Sequence, residues 1–543
     1  MSSMAQGMPP TSMPPRSGAM PAWLCIAIIA GIILIERLPT IGFASLNVDE
    51  SAYLAIGEAM LRGAVPYIDI IDRKPVGLYV IYALATSIFS DPIIGARILG
   101  LICTGISAGF IFAIARRHLH ESRVSATLAA SLFSCFAILY GGDAAQYNVF
   151  VMPFTAVAAW IVFENLARLS RGEPPQALRI GLSGLLLGLA MQIKYTPAFE
   201  GMGFGLLLMA AGWQFRTSLG AVGLRKLTVG LVLMLVGGLA PTLAVAAIYW
   251  RMDQFDAFMF YNFTVNVVRP VTDYAPGLLT FRMAEVLAIA APLLGFSFRF
   301  ANRVRAGAVT FPVDARWAQL GLAVWFGAAL FGALVQRQPY LHYFYAVVPP
   351  LALWSASAMI GRAGLLRPIR WIAFLIPLAF AGYAGGWTVE TYTHGSAYLP
   401  REIAQTLRAE RVRSLYVFNW FGILYHLSEL PSPTRFTLPT HLLRDLEAAS
   451  FEFDAKPEVE RILAAKPEVI VVARPFAGNI APDRIVLLDA ALNRGYCTWR
   501  TYQAGRDTVY LYQYRGIVGD AARACREIRD QGDEAHPSDK GAP

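Results

Sequence analysis

The chain has 543 residues, of which 56% are hydrophobic and 15% are charged. Soluble globular proteins carry about 25% charged residues, so this composition excludes that class and indicates a protein with many membrane-spanning segments. The net charge of +9 comes mainly from arginines between apolar segments, and the sequence contains no basic block or nucleic-acid motif, so we expect no nucleic-acid partner.

The apolar segments have the length of helices and lack the alternating pattern of an outer-membrane barrel. We predict an α-helical polytopic membrane protein with about eleven spans. Residues 1–21 are predicted to be a disordered cytoplasmic tail and residues 22–389 the transmembrane domain. The predicted spans are 22–38, 93–115, 124–140, 149–167, 180–193, 199–215, 227–249, 283–298, 317–335, 341–360 and 371–388.

The distribution of basic residues predicts the orientation of these spans. One alternate set of connections carries about twice as many Lys and Arg residues as the other, and the more basic set is expected inside the cell. The loop Asn47 to Val80 and everything after residue 389 then face outward from the plasma (inner) membrane. Residues 75–89 are short for a span, and we predict a helix along the outer interface, with Tyr79 and Tyr82 at interfacial depth.

From residue 390 the composition becomes that of a soluble domain. We predict a small α/β domain at residues 390–516 and a polar tail at residues 517–543. Its predicted helices are 400–411, 421–427, 457–465 and 482–493, and its strands are 415–418, 434–437, 469–473, 497–502 and 508–514. A disulfide between Cys497 and Cys525 is left open, because spacing cannot establish the geometry.

The loop Asn47 to Val80 is the longest charged passage in the membrane part. Asn47 followed by Glu50 fits a relaxed capping box, in which Glu50 reaches back to the Asn47 amide and Asp49 remains the freer carboxylate. Arg73 and Lys74 suit a lipid phosphate, with interfacial snorkelling as the alternative.

Three other outward loops are short and polar, and each fits either helix-end anchoring or a site. The first supplies Asp143, Gln146 and Asn148, the second Gln192, Lys194 and Tyr195, and the third Gln336, Arg337, His342, Tyr343 and Tyr345. The longer loop from Arg251 to Arg282 is rich in Tyr, Phe and Asn and is a candidate lid.

The pattern D-E-x-x-Y at Asp49, Glu50 and Tyr53, a glycine-proline turn at Gly63 to Tyr67, and Lys74-Pro75 resemble the GT-C glycosyltransferases. The chain is most similar to the protein O-mannosyltransferase and lipid A aminoarabinose transferase group. The likeness covers roughly residues 20–390 and is strongest in the first 160.

The resemblance implies a glycosyltransferase whose catalytic domain is the membrane part. The donor would be a polyprenyl-phosphate sugar in the lipid bilayer, and the acceptor a hydroxyl of a glycan, glycolipid or protein outside the cytoplasm. Transfer would be a single displacement with inversion. By matching position, Asp49 becomes the general base, while Tyr53 and Lys74 contact the donor phosphate. Arg73, Arg337, His342 and Tyr343 complete the expected donor-binding set, and Glu50, Asp143 and Asn148 are expected to support it.

Asn148 departs from the pattern, because family members often carry a second acidic residue there and Asp143 lies five residues earlier. We therefore assign no metal and leave open whether a divalent cation takes part. A lipid or polysaccharide transporter is the alternative function; charges near the bilayer midplane and an internal repeat would favour it.

Overall fold

A computed structural model describes residues 20–268, 278–338, 340–360, 397–476, 479–505 and 507–516. The predicted combination of a helical membrane part with a small C-terminal α/β domain is confirmed. Among the described residues, ten of the eleven predicted spans coincide with helical segments, and seven helices are long and apolar enough to cross a membrane. The predicted span 371–388 lies outside the described residues.

The membrane part is a succession of helices joined by short connections. They are α1 (Ala22–Arg37), α2 (Val48–Leu61), α3 (Val76–Ile88), α4 (Pro92–Arg117), α5 (Arg123–Ala137), α6 (Tyr147–Ser170), α7 (Ala177–Met191), α8 (Pro197–Gln214), α9 (Arg216–Arg251), α10 (Phe255–Met259), α11 (Val265–Val268), α12 (Leu278–Arg305), α13 (Val313–Leu334) and α14 (Val348–Met359). Four short 3-10 or π turns adjoin these helices. Leu38–Thr40 follows α1, Ile138–Gly142 follows α5, Phe260–Thr264 follows α10, and Leu341–Val347 precedes α14.

Helices α7 and α9 pack unusually closely because glycines line their contact. A Cβ atom built on Gly184 would lie 2.1 Å from the carbonyl oxygen of Met234, so no larger residue fits there. Small residues allow membrane helices to approach in this way. Near its start α9 is interrupted at Gly220, whose φ of +60° is a conformation that glycine adopts without steric cost.

Helix α3 has only 13 residues and packs against α2 and α4. Both the Tyr79 and the Tyr82 ring are fully buried inside the protein, so neither faces lipid, and the predicted position of this helix along the outer interface stays a prediction. The Tyr82 hydroxyl donates to the carbonyl of Ala145 at 2.7 Å, so this ring ties α3 to the segment before α6. The two tyrosines lie on the buried face of α3. The apolar composition of this helix does not distinguish a face buried in protein from one that faces lipid.

The described residues of the C-terminal domain form a four-stranded sheet and six helices. The elements are α15 (Leu399–Ala409), β1 (Leu415–Val417), α16 (Ile423–Ser428), α17 (Thr440–Leu443), α18 (Asp445–Ser450), α19 (Ala455–Ala464), β2 (Val469–Arg474), α20 (Pro482–Gly495), β3 (Tyr496–Ala504) and β4 (Asp507–Tyr514). The strand order is β1-β2-β4-β3, with β1 and β2 parallel and the other pairs antiparallel. The buried strand β2 lies at the centre, as its run of valine and isoleucine predicts.

One predicted strand of this domain is wrong, and two short helices were not predicted. Residues 434–437 form no strand; Phe436 makes a single bridge to Ile71 of the long loop instead. Helices α17 and α18 are too short to give a periodic signal in the sequence. Cys525 and residues 517–543 lie outside the described residues, so the pairing of Cys497 with Cys525 stays open.

The C-terminal domain packs directly on the loop between α2 and α3. The amide of Ile71 in this loop donates to the carbonyl of Arg435 at 2.9 Å. A second contact, at the start of α4, pairs Asp91 with Arg401 at 2.8 Å. Buried residues of both parts, including Tyr53 and Leu407, belong to one hydrophobic cluster. The predicted domain boundaries stay a prediction, but the two parts share a core.

Candidate active site

The first turn of α2 separates two neighbouring carboxylates. The Asn47 side chain caps the helix by accepting the Asp49 amide at 2.9 Å, as its position predicts. The predicted return bond from Glu50 to the Asn47 amide is wrong, because Glu50 accepts the Leu46 amide at 3.2 Å instead.

Glu50 forms a buried ion pair rather than a cap alone. Arg97 of α4 donates to both its oxygens, from Nη2 at 2.8 Å and from Nε at 3.2 Å, and the Ala145 amide donates at 2.7 Å. Burial works to raise the pKa of Glu50, but Arg97 and these hydrogen bonds hold it below its ordinary value. Glu50 therefore joins α2, α4 and the segment before α6.

Asp49 faces a different environment, with weaker contacts. Its Oδ2 lies 3.4 Å from the Tyr53 hydroxyl and 3.4 Å from Nε2 of Gln146. Burial works to raise the pKa of Asp49, but the charge of Lys74, together with smaller contributions that include the Gln146 hydrogen bond, holds it below its ordinary value. Asp49 is thus an ionised, half-buried carboxylate that retains capacity to accept a proton.

The backbone of Lys74 is fixed by two buried tyrosines. Its amide donates to the Tyr79 oxygen at 3.1 Å, and its carbonyl accepts the Tyr67 hydroxyl at 2.6 Å. The Tyr79 hydroxyl in turn donates to Asp72 at 2.9 Å. The Lys74 ammonium lies 5.8 Å from the centre of the Tyr147 ring, so its positive charge lies close to the start of α6.

Lys194 reaches the same tyrosine from another loop. Its Nζ lies 2.6 Å from the Tyr147 hydroxyl and 3.9 Å from the ring centres of both Tyr147 and Tyr343. Two aromatic faces attract an ammonium and fix its position. The three short polar loops thus converge here, and Lys194 is the principal site residue that the sequence did not single out from its loop.

His342 and Asn148 complete the aromatic wall. The His342 ring meets Tyr147 edge-on at 5.6 Å and Tyr343 at 4.8 Å. Asn148 Nδ2 donates to the His342 carbonyl at 2.8 Å, while its Oδ1 is buried without a hydrogen-bond partner in the described residues. The residue that replaces the expected acid therefore holds the third loop against α6.

Three of the predicted site residues make their closest contacts outside the cluster around Tyr147. Arg73 pairs with Glu447 of the C-terminal domain at 2.8 Å, and Arg337 donates to the Val267 carbonyl at 3.1 Å at the protein surface. Asp143 is half-buried beside the Glu50 pair; burial, and then the charge of Glu50, raise its pKa to about 6. In the described ranges, no group of three or more His, Cys, Asp or Glu residues could hold a metal ion.

The first half of the predicted lid loop packs beside the site. The Asn262 side-chain oxygen accepts the hydroxyls of Tyr67 and Tyr195 at 3.2 and 3.0 Å. Tyr261 stacks on Tyr67 with ring centres 5.9 Å apart. Residues 269–277 lie outside the described residues, so closure of the lid stays a prediction.

An apolar cavity of about 1020 Å³ lies between α7, α8 and α9. At one end the cavity is lined by Met191 and Pro197, which precede and follow the loop that carries Lys194. At the far end of α8 it is lined by Trp213 and Arg216. The cavity therefore runs along α8 from the neighbourhood of the loop that carries Lys194.

Residues 72–241 match the family model described as dolichyl-phosphate-mannose-protein mannosyltransferase. Over 265 residues the chain is 24% identical to an undecaprenyl phosphate-alpha-4-amino-4-deoxy-L-arabinose arabinosyl transferase of Pseudomonas fluorescens. That match covers 46% of this chain and spans 44% of the relative's length.

Two solved structures of ArnT from Cupriavidus metallidurans cover 90% of this chain. The crystal structure bound to undecaprenyl phosphate aligns with a TM-score of 0.59 at 14% identity over 98% of its own length. The apo structure aligns with a TM-score of 0.56 at 15% identity over 97%. The resemblance predicted from the sequence is confirmed: this multi-pass membrane protein shares the fold of ArnT.

Proposed function

We propose that the protein is a membrane glycosyltransferase that moves a sugar from a polyprenyl-phosphate donor to an acceptor hydroxyl. The reaction takes place on the extracytoplasmic side of the inner membrane. The observation that carries this proposal is the convergence of one ionised, half-buried carboxylate, Asp49, with two lysines around Tyr147.

The two kinds of charge suit the two ends of a displacement at an anomeric carbon. Asp49 accepts the proton of the acceptor hydroxyl, while the oxygen of that hydroxyl forms a bond to the anomeric carbon of the donor sugar. The bond from the carbon to the phosphate oxygen breaks on the opposite face, so the configuration inverts. Lys74 and Lys194 stabilise the charge on the departing lipid phosphate, which leaves without needing a proton.

The apolar cavity supports a lipid-linked donor. Its glycine-lined walls admit a long acyl or prenyl chain, and its Met191 and Pro197 end adjoins the Lys194 loop. A phosphate held between the lysines would place a lipid tail in this cavity. The ArnT crystal structure with bound undecaprenyl phosphate supports the same class of donor.

The test is transfer by the purified protein in lipid nanodiscs. The protein is given polyprenyl-phosphate donors with an isotopically labelled sugar and an extract of envelope glycolipids, glycans and proteins. We expect the label to appear in a new glycosidic bond. We also expect polyprenyl phosphate to co-purify with the wild-type protein, and to be lost when both Lys74 and Lys194 are replaced by methionine.

Arg337→Gln is the matched control, because this exposed cation lies away from the tyrosines, and it should retain the lipid. A transporter would move the labelled lipid across the membrane without forming a new bond. That outcome, or lipid retention by the double methionine variant, contradicts the proposal.

A further inference from the structure

Gln146 is the last residue before α6, and its side chain lies fully buried beside Asp49. Its Nε2 donates to Asp49 Oδ2 at 3.4 Å. Its Oε1 is buried as well and accepts no hydrogen bond from the part of the chain that the structure describes. The amide group therefore uses its donor on the proposed base and leaves its acceptor without a partner among those residues.

This unsatisfied acceptor argues against a purely structural role for Gln146. A buried acceptor without a donor lowers stability, because it loses its hydrogen bonds to water on folding. A methionine of similar length would fill the position without this cost. The amide at position 146 is therefore better explained by its contact with Asp49 than by stability.

The backbone beside Gln146 is held in place by two hydrogen bonds. The Ala145 amide donates to Glu50 Oε1 at 2.7 Å, and the Ala145 carbonyl accepts the Tyr82 hydroxyl at 2.7 Å. Both partners are buried. The segment before α6 is thus joined to Glu50 through its backbone and to Asp49 through the next side chain, so the amide meets the base from a fixed position.

The other hydrogen bond to Asp49 Oδ2 does not perform the same task. It comes from Tyr53, which lies four residues further along the same helix, so both side chains move together with α2. Gln146 lies on the segment that leads into α6, where Tyr147 meets both lysines. Its contact therefore orients the carboxylate relative to the cations.

Charged and titratable groups also face Asp49 from α2, the loop before α3, α3 itself, α6 and the turn before α14. They are Tyr53, Arg73, Lys74, Tyr82, Tyr147 and His342. The cations among them act through their charge, whereas the neutral Gln146 amide acts on one oxygen through a directional hydrogen bond. The amide thus orients the base without adding a charge that would neutralise it.

We propose that Gln146 is the positioning residue of Asp49, whose carboxylate it turns toward the acceptor hydroxyl. The inference rests on the proposed function, in which Asp49 is the general base. The contact of 3.4 Å is expected to shorten when the acceptor binds, because catalytic hydrogen bonds are often long in the free enzyme. Positioning of this kind raises kcat more than it tightens donor binding.

The first experiment compares transfer kinetics of the wild type and Gln146→Met in nanodiscs. We expect kcat to fall about tenfold, as for the loss of one hydrogen bond to a charged group, while the donor KM stays within about twofold. Because the lost hydrogen bond favoured the ionised carboxylate, the pKa of Asp49 should rise, and the acidic limb of the kcat/KM profile should move to higher pH. Gln146→Glu places a second carboxylate beside the base and should move this limb further in the same direction.

Melting temperatures separate positioning from a structural role. Gln146→Met should melt at or above the wild-type temperature, because it removes the unsatisfied acceptor. The matched control is Gln319→Met, since Gln319 accepts the indole N–H of Trp354 at 2.8 Å between α13 and α14. This control should melt at a lower temperature and keep the wild-type kcat and pH profile.

Infrared titration tests the contact without sugar transfer. The carboxylic-acid band that is missing in Asp49→Asn reports the protonation of Asp49 whether or not the protein transfers a sugar. We expect this band to appear at higher pH in Gln146→Met than in the wild type and in Gln319→Met. An unshifted band, or a wild-type kcat in Gln146→Met, would overturn the inference. A shifted band together with a wild type that transfers no sugar would instead contradict the proposed function and support the contact.

Discussion

Asp49 and Glu50 are adjacent in sequence but have different environments and roles. Glu50 is fixed by Arg97 and two backbone amides, whereas the Asp49 carboxylate makes two long hydrogen bonds of 3.4 Å within the described residues. The capping pattern in the sequence predicted that Glu50 is held in place while Asp49 stays freer, but it did not predict that Arg97 is the partner of Glu50. Arg97 lies 47 residues further along the chain, and no local pattern reveals such a partner.

The pKa of Asp49 gives a test of its link to Lys74. Burial would raise this pKa, and Lys74 contributes most to lowering it. Lys74→Met removes the cation, so the pKa of Asp49 should rise and the base should become protonated at higher pH. We expect the acidic limb of the kcat/KM profile for transfer to move to higher pH, as measured over pH 4 to 8.

Arg62→Met is the control for this shift, because Arg62 projects from the other side of α2. Its profile should match that of the wild type. An acidic limb that stays in place after Lys74→Met would remove Lys74 from the surroundings of Asp49.

At the scale of elements, the Glu50–Arg97 pair fixes α2 against α4. Breaking a buried ion pair on one side leaves an uncompensated charge, which typically costs about 3 to 5 kcal/mol. Glu50→Ala should therefore lower the melting temperature of the purified protein strongly, as followed by intrinsic fluorescence. Glu429→Ala, which breaks a solvent-exposed pair with Arg408, should change it little, since such pairs contribute about 0 to 1 kcal/mol. Equal effects of the two substitutions would contradict this assignment.

Element positions were largely predictable because hydrophobic length and turn residues are local signals. Phe436 shows where such reasoning fails: its neighbours have a strand-like composition, but the segment meets only Ile71 of another part of the chain. Tyr79 shows a related limit, since an aromatic ring suits both an interface and a buried hydrogen bond to Lys74.

At the scale of the whole molecule, the C-terminal domain is joined to the loop that carries Lys74. Arg73 pairs with Glu447 of α18, and Glu447 is 5% exposed. The Arg73 guanidinium also lies 5.9 Å from the centre of the Phe451 ring. The sequence predicted Arg73 as a phosphate ligand, because it is a basic residue beside Lys74. It could not reveal the partner Glu447, which lies some 370 positions away.

This contact predicts a role for the domain in donor binding. Glu447→Ala frees Arg73 and should loosen the loop, so the KM for the donor should rise several-fold while kcat falls less. The measurement is transfer kinetics in nanodiscs at varied donor concentration. Glu410→Ala, at the surface of the same domain, should leave both constants unchanged, and a Glu447→Ala enzyme with wild-type donor KM would refute the coupling.

The convergence of three loops on Tyr147 is also a property of the whole molecule. Each loop could be listed from the sequence, but only the fold shows that Lys194 and Tyr343 meet while Arg337 points to the surface. The spacing between loops depends on helix packing, which periodicity does not encode.

The central claim is that Asp49 removes the acceptor proton while the lysines hold the donor phosphate. It is tested most directly by single-turnover transfer with Asp49→Asn, alongside a measurement of polyprenyl-phosphate binding to the same preparation. We predict that the rate falls about 10² to 10⁴-fold, the usual contribution of a general base, while lipid binding stays within about twofold of the wild type. Transfer by Asp49→Asn at close to the wild-type rate would contradict the account.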